Sequence, residues 1–231
     1  MVDAATDYSL PSAERRRIMV DRQVRTYDVT DQVVISRMLD VEREHFVSTG
    51  ENALAYSDLA LDLAGDAGPR SRTMLPPFVL ARMMQAAAPK ATDRALDVCG
   101  GTGYTAALLA GLCASVVTVE PDGALFAQAK TRLATLGLRN VTTLGIPLST
   151  LTKDLGPFDV IFVNGAAETG LDALADLLAP DGRMVAVVPK PSGATTAALI
   201  KGQGRDMSVR PLFDAVAPVL PGMEKARTFV F

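Results

Sequence analysis

Two acids stand where apolar runs give way to turns. Asp97 lies in Ala95-Leu-Asp-Val-Cys-Gly-Gly-Thr-Gly-Tyr104, and Glu120 closes Ser115-Val-Val-Thr-Val-Glu120. An ionised carboxylate only accepts hydrogen bonds, so it suits an aminium group or two adjacent hydroxyls. Asp97 is placed for the first and Glu120 for the second. Between them Gly100, Gly101 and Gly103 form a turn. Glycine admits φ > 0 and lets a ligand approach the backbone closely. The helix beginning just beyond offers unpaired N–H groups and a partial positive charge, which favours a carboxylate or phosphate. The turn alone leaves the ligand open.

These residues need a scaffold. Arg94 to Cys99 reads as a strand, Thr105 to Leu112 as a helix, Ser115 to Glu120 as a strand and Asp122 to Leu136 as a helix stopped by Gly137. Val141 to Leu144 and Phe158 to Asn164 are the third and fourth strands. Leu171 to Leu178 reads as a helix, Arg183 to Val188 as the fifth strand and Thr195 to Lys201 as a helix. Ser208 to Phe213 and Arg227 to Phe231 read as a final strand pair without a crossover helix. Such alternation predicts an α/β fold. The expectation is a Rossmann-like, doubly wound, seven-stranded and mainly parallel sheet with an antiparallel C-terminal strand pair. Ligands of such sheets bind beyond the carboxyl ends of the strands. Asp97, the glycines, Glu120, Gly145 and Asn164 all fall there.

Before the alternation comes an N-terminal helical extension. Ala13 to Arg25 reads as a helix with five arginines against Glu14 and Asp21, and Gln32 to Leu39 as a second helix capped by Thr30-Asp31. A solvated arginine face is the ordinary reading, and a dock for an acidic partner is the other. Gly65 to Pro77 reads as a loop, followed by a helix over Phe78 to Ala88. The expected division is residues 1–90 as the extension with an acceptor-side loop, and 91–231 as the ligand-binding domain.

Composition narrows the function classes. The net charge of −3 argues against a nucleic-acid partner. Only Cys99 and Cys113 occur, so a reducing compartment is expected. Cys99 reads as a turn residue, with a reactive thiol as the other reading. His45, the single histidine, builds no metal site, and no metal is expected. With no signal pattern at the N-terminus and no apolar run of membrane length, the reading is a soluble cytoplasmic protein.

Two nucleotide-type ligands compete for the site. Gly101-Thr-Gly103-Tyr-Thr-Ala106 satisfies the G-x-G-x-x-A dinucleotide pattern. S-adenosyl-L-methionine is favoured by Asp97 inside the strand, by the long segment preceding it and by the helix-free end of the chain.

Asp97 to Gly103, Glu120 and Leu178-Ala-Pro-Asp-Gly-Arg183 resemble the class I methyltransferases. More narrowly the chain resembles the protein-L-isoaspartate O-methyltransferase family. The matching stretches include Arg43-Glu-His-Phe-Val47, Ala55-Tyr-Ser-Asp58, Ala81-Arg-Met83, Gly103 to Ala110, Gly156-Pro-Phe-Asp-Val160 and Asn164-Gly-Ala-Ala167. The resemblance implies S-adenosyl-L-methionine as cofactor, S-adenosyl-L-homocysteine as product and a protein or peptide substrate. It places Asp97, Gly101 and Gly103 at the methionine portion, Glu120 at the ribose, Gly145 and Ile146 at the adenine, and Asn164 beside the cofactor. It also implies methyl transfer to a carboxylate, which needs no catalytic base. Three departures stand out. Leu75 occupies the place of the serine in the family's Thr-Ile-Ser-x-Pro loop, here Thr73-Met-Leu-Pro-Pro77, with Thr73 or Ser71 as hydroxyl substitutes. Cys99 replaces the first glycine. Gly145-Ile-Pro147 replaces Gly-Asp-Gly. The first departure opens two alternatives: a different methyl acceptor, including a small molecule, and a non-catalytic cofactor-binding protein.

Overall fold

The computed structural model describes residues 10–63 and 72–226. Its centre is a seven-stranded sheet. The strands are β3 (Arg94–Val98), β4 (Ser115–Val119), β5 (Val141–Leu144), β6 (Phe158–Ala166), β7 (Leu178–Pro189), β8 (Thr195–Lys201) and β9 (Ser208–Asp214). Two short strands precede them, β1 (Leu61–Asp62) and β2 (Thr73–Met74), paired antiparallel. The sheet order is β5-β4-β3-β6-β7-β8-β9. Neighbours are parallel up to β7, whereas β7–β8 and β8–β9 are antiparallel.

The helices are α1 (Ser12–Met19), α2 (Gln32–Asp40), α3 (Pro77–Ala87), α4 (Tyr104–Ala110), α5 (Gly123–Thr135) and α6 (Leu171–Ala175). Proline at the first position of α3 loses no hydrogen bond, because that N–H is unpaired in any helix. Asp122 caps α5 through the amides of Ala124 and Leu125. Alternation along the strands sends side chains to both sheet faces. Ala95, Val160 and Val185 join one buried cluster with Met19, Ile35, Phe46 and Leu80 from the N-terminal part. Leu96, Val98, Ile161 and Met184 join the other, with Leu174 of α6.

The antiparallel end of the sheet differs from expectation in its parts. Thr195–Lys201 is strand β8, not a helix, and pairs with β7 from Arg183↔Lys201 to Pro189↔Thr195. The physical reason is the short turn after β7, closed by Lys190 and Ala194, which only an antiparallel neighbour can follow. Thr196 to Ile200 are buried throughout, so no alternation marks the strand in the sequence. The expected strand over 227–231 lies outside the described residues. So do most of the expected loop over 65–77 and Ser71, while Thr73 and Met74 of that loop form β2. The first helix continues from α1 through one π-helical turn, Val20–Val24.

The arginine face of that helix is not wholly solvated. Arg16 is buried, donates to the Leu39 carbonyl at 2.6 Å and to the Tyr56 hydroxyl at 3.1 Å, and lies 3.7 Å from Glu42. His45 is exposed and faces Glu42 at 3.3 Å. At the amino end of the parallel strands, Arg183 donates to the Ala87 carbonyl at 2.6 Å, the Asp159 carbonyl at 3.1 Å and the Asp93 carboxylate at 2.7 Å. It thereby ties the end of α3 to β3, β6 and β7. Among the described residues no helix is long and apolar enough to cross a membrane.

Candidate functional site

Strand register builds the site. Asp97 of β3 is paired with Thr118 of β4 and with Phe162 of β6. The Thr118 hydroxyl therefore meets Asp97 Oδ2 at 2.8 Å, and Asn164 Nδ2 meets Oδ1 at 2.7 Å. Asn164 also donates to the Val98 carbonyl at 2.9 Å, and its own Oδ1 accepts from the Thr105 hydroxyl. Asp97 is fully buried. Burial pushes its pKa up to about 6, against the opposing pull of the two hydrogen bonds.

The turn after β3 fits this network closely. A Cβ on Gly100 would meet Asp97 Oδ2 and Thr118 Oγ1 at 2.3 Å, so only glycine fits beside the acid. Gly101 has φ +59° and Gly103 +100°. Cys99 adopts φ 54° without being glycine, and burial pushes its thiol up to about 12. It is protonated at neutral pH, which supports the turn reading over the reactive one.

Glu120, just beyond β4, is buried. It accepts from the amides of Gly101 at 2.7 Å and Asp122 at 3.0 Å. It is also clasped by Arg72, through Nη1 at 2.6 Å and a very short Nη2 contact. Arg72 Nη2 reaches the Cys99 carbonyl at 3.0 Å as well. Burial works against the Arg72 cation, yet its bonds to Glu120 outweigh this and raise its pKa.

Thr73 and Leu75 line one small cavity with Gly100, Tyr104, Thr105 and Asn164. The expected acceptor-side and cofactor-side residues therefore meet. Leu75 is buried, and the Thr73 hydroxyl is buried without a hydrogen-bond partner. Gly145 and Ile146 follow β5, one strand beyond Glu120, where Gly145 lies against the Phe126 ring.

Sequence reading gave no role to two arginines of the site. Arg72 is the first. Arg43 is the second: it is wholly buried, sits 5.0 Å above the Tyr104 ring and donates to the Leu75 carbonyl at 2.7 Å. Burial lowers its pKa. Its signal in the sequence was its place in the matching stretch Arg43-Glu-His-Phe-Val47.

The family model described as Protein-L-isoaspartate(D-aspartate) O-methyltransferase matches residues 14–215. A protein-L-isoaspartate O-methyltransferase of Bradyrhizobium sp. (strain BTAi1) is 32% identical over 216 residues, 93% of this chain and 98% of its own length. That of Koribacter versatilis is 36% identical over 202 residues, 87% of this chain and 88% of its own. A solved protein-L-isoaspartate O-methyltransferase superposes with a TM-score of 0.75 at 24% identity, covering 92% of this chain and 66% of the other. A candidate Plasmodium falciparum enzyme of the same description, solved with S-adenosyl-L-homocysteine, gives 0.73 at 20% identity over 90% of this chain and 98% of its own. The two structures share the fold.

Proposed function

We propose, from the premise that this chain belongs to the protein-L-isoaspartate(D-aspartate) O-methyltransferase family, that the cleft around Asp97 and Glu120 holds S-adenosyl-L-methionine and serves methyl transfer to isoaspartyl carboxylates of proteins. The observation that carries the site assignment is the pair of buried acids, one in β3 and one just beyond its neighbour β4, flanking one glycine turn. The residues fit the cofactor in kind. Asp97 accepts from its aminium group, Glu120 from its ribose hydroxyls, Gly101 and Gly103 admit its methionine portion, and Gly145 and Ile146 flank its adenine. When bound, it supplies an electrophilic methyl group on a sulfonium.

The protein's part is positioning and exclusion of water. A carboxylate acceptor with a pKa near ~4 is already ionised at neutral pH, so no base is needed. Asn164 and Thr118 fix the Asp97 carboxylate. Arg43 fixes the Leu75 carbonyl and with it the acceptor-side loop. Leu75 brings no hydroxyl, and the unpartnered Thr73 hydroxyl in the same cavity takes over that role. Residues 1–90 then supply the N-terminal helical extension with the acceptor-side loop, and 91–231 the cofactor-binding domain.

The test is transfer from labelled cofactor to an isoaspartyl peptide, beside its aspartyl control. Wild type is expected to label only the isoaspartyl peptide, and Thr73→Val to lower kcat/KM about 10- to 100-fold, as loss of one hydrogen bond made to reacting groups does. Activity unaltered in Thr73→Val would remove Thr73 from the site. The buried Leu75 supports a second reading, a different acceptor. Labelling of the peptide by Leu75→Ser but not by wild type would establish that one.

A further inference from the structure

The cleft assigned to the cofactor is filled by the chain's own side chains. Arg72 spans both oxygens of Glu120, and the Gly101 and Asp122 amides take the remaining positions. A carboxylate offers about four acceptor sites, so none is left for a ribose hydroxyl. Leu63, whose amide donates to the Arg72 carbonyl at 2.9 Å, lies over the turn: a Cβ on Gly101 would meet Leu63 Cδ1 at 2.5 Å. The small cavity beside the turn, lined by Leu63 with Thr73, Leu75, Gly100 and Asn164, measures about 10 Å³. That is room for roughly one water, whereas sites for cofactor-sized ligands run to about 300–1,000 Å³.

We infer that Arg72 is an internal competitor for the carboxylate that the cofactor's ribose requires, with Leu63 as its apolar counterpart over the glycine turn. This rests on the assignment of Glu120 to the ribose. Cofactor and Arg72 cannot hold Glu120 together, so the observed affinity is the intrinsic affinity reduced by the fraction of molecules in which Arg72 has withdrawn. Arg72 and Glu120 are both almost fully buried, so their attraction is little screened by salt. Arg72 thus sets the cofactor concentration at which the protein loads, without touching the methyl acceptor.

Calorimetric titration of the full chain with S-adenosyl-L-homocysteine tests this, using wild type, Arg72→Gln and Leu63→Ala. Both variants are expected to bind about tenfold more tightly than wild type. Equal or weaker binding by both, with wild type binding normally, would overturn the inference while leaving the cofactor assignment in place. Hydrogen exchange on wild type supplies a readout independent of any variant's folding. The Leu63 amide, bonded to Arg72 here, is expected to exchange faster when S-adenosyl-L-homocysteine is added, and unchanged or slower exchange would count against the competitor. If none of the three proteins binds, the assignment of Glu120 falls and the inference falls with it.

Discussion

Glu120→Ala is expected to be the most damaging single change in the cleft. It strands the buried Arg72 guanidinium, and breaking a buried ion pair from one side typically costs about 3–5 kcal/mol. It also frees the Gly101 and Asp122 amides that now end on the carboxylate. Urea unfolding of Glu120→Ala, Arg72→Ala and the double variant separates these contributions. The double variant is expected to recover roughly 2 kcal/mol relative to Glu120→Ala, because the stranded charge is gone. Additive losses would mean that the pair is not coupled. If Glu120 holds the ribose as proposed, the same substitution is expected to weaken S-adenosyl-L-homocysteine binding at least about 100-fold, since two charge-assisted hydrogen bonds would be lost.

Asp97→Asn is expected to move stability and binding in opposite directions. The folded protein holds Asp97 at a pKa of about 6, above the usual value of 3.8. The native state therefore binds this proton more readily than the unfolded chain does. Its contribution to stability is fully present below about pH 4 and is lost as pH rises towards 6. At neutral pH the ionised, buried carboxylate costs on the order of 2–3 kcal/mol, which the neutral amide does not. Urea midpoints for Asp97→Asn should accordingly exceed wild type at pH 7.5 and converge with it near pH 4. Cofactor binding should fall, because an amide offers less to an aminium group than a carboxylate does. A variant less stable than wild type at pH 7.5 would show that the bonds from Thr118 and Asn164 outweigh the cost of burial.

What the sequence disclosed follows from how locally each feature is encoded. Asp97, the glycine turn and Glu120 sit on consecutive elements joined by short turns, so strand–helix alternation alone placed them at one end of the sheet. Arg72 was not legible in the same way. Its partner lies 48 residues away, and its own segment has no periodicity to fix its direction. Arg43 was legible as a residue but not in its role, because its contact with Leu75 spans 32 positions. The strand at Thr195–Lys201 was misread because Ala, Leu and Lys favour helices, while a strand covered on both faces shows no alternation. The short turn before it, with Pro191 and Gly193, was the signal that outweighed propensity.

Arg183 gives this sheet two ends with different duties. Its guanidinium fastens the close of α3 and the starts of β3 and β6 at the end remote from Asp97 and Glu120. A parallel sheet anchored at its amino ends can tolerate rearrangement at its carboxyl ends, where the cofactor is proposed to bind, without loosening as a whole. The rearrangement demanded of Arg72 and Leu63 is of that kind. Loss of the Arg183 anchor should therefore show in a melting curve before it shows in a binding isotherm, so heat tolerance and ligand affinity can vary separately in this protein.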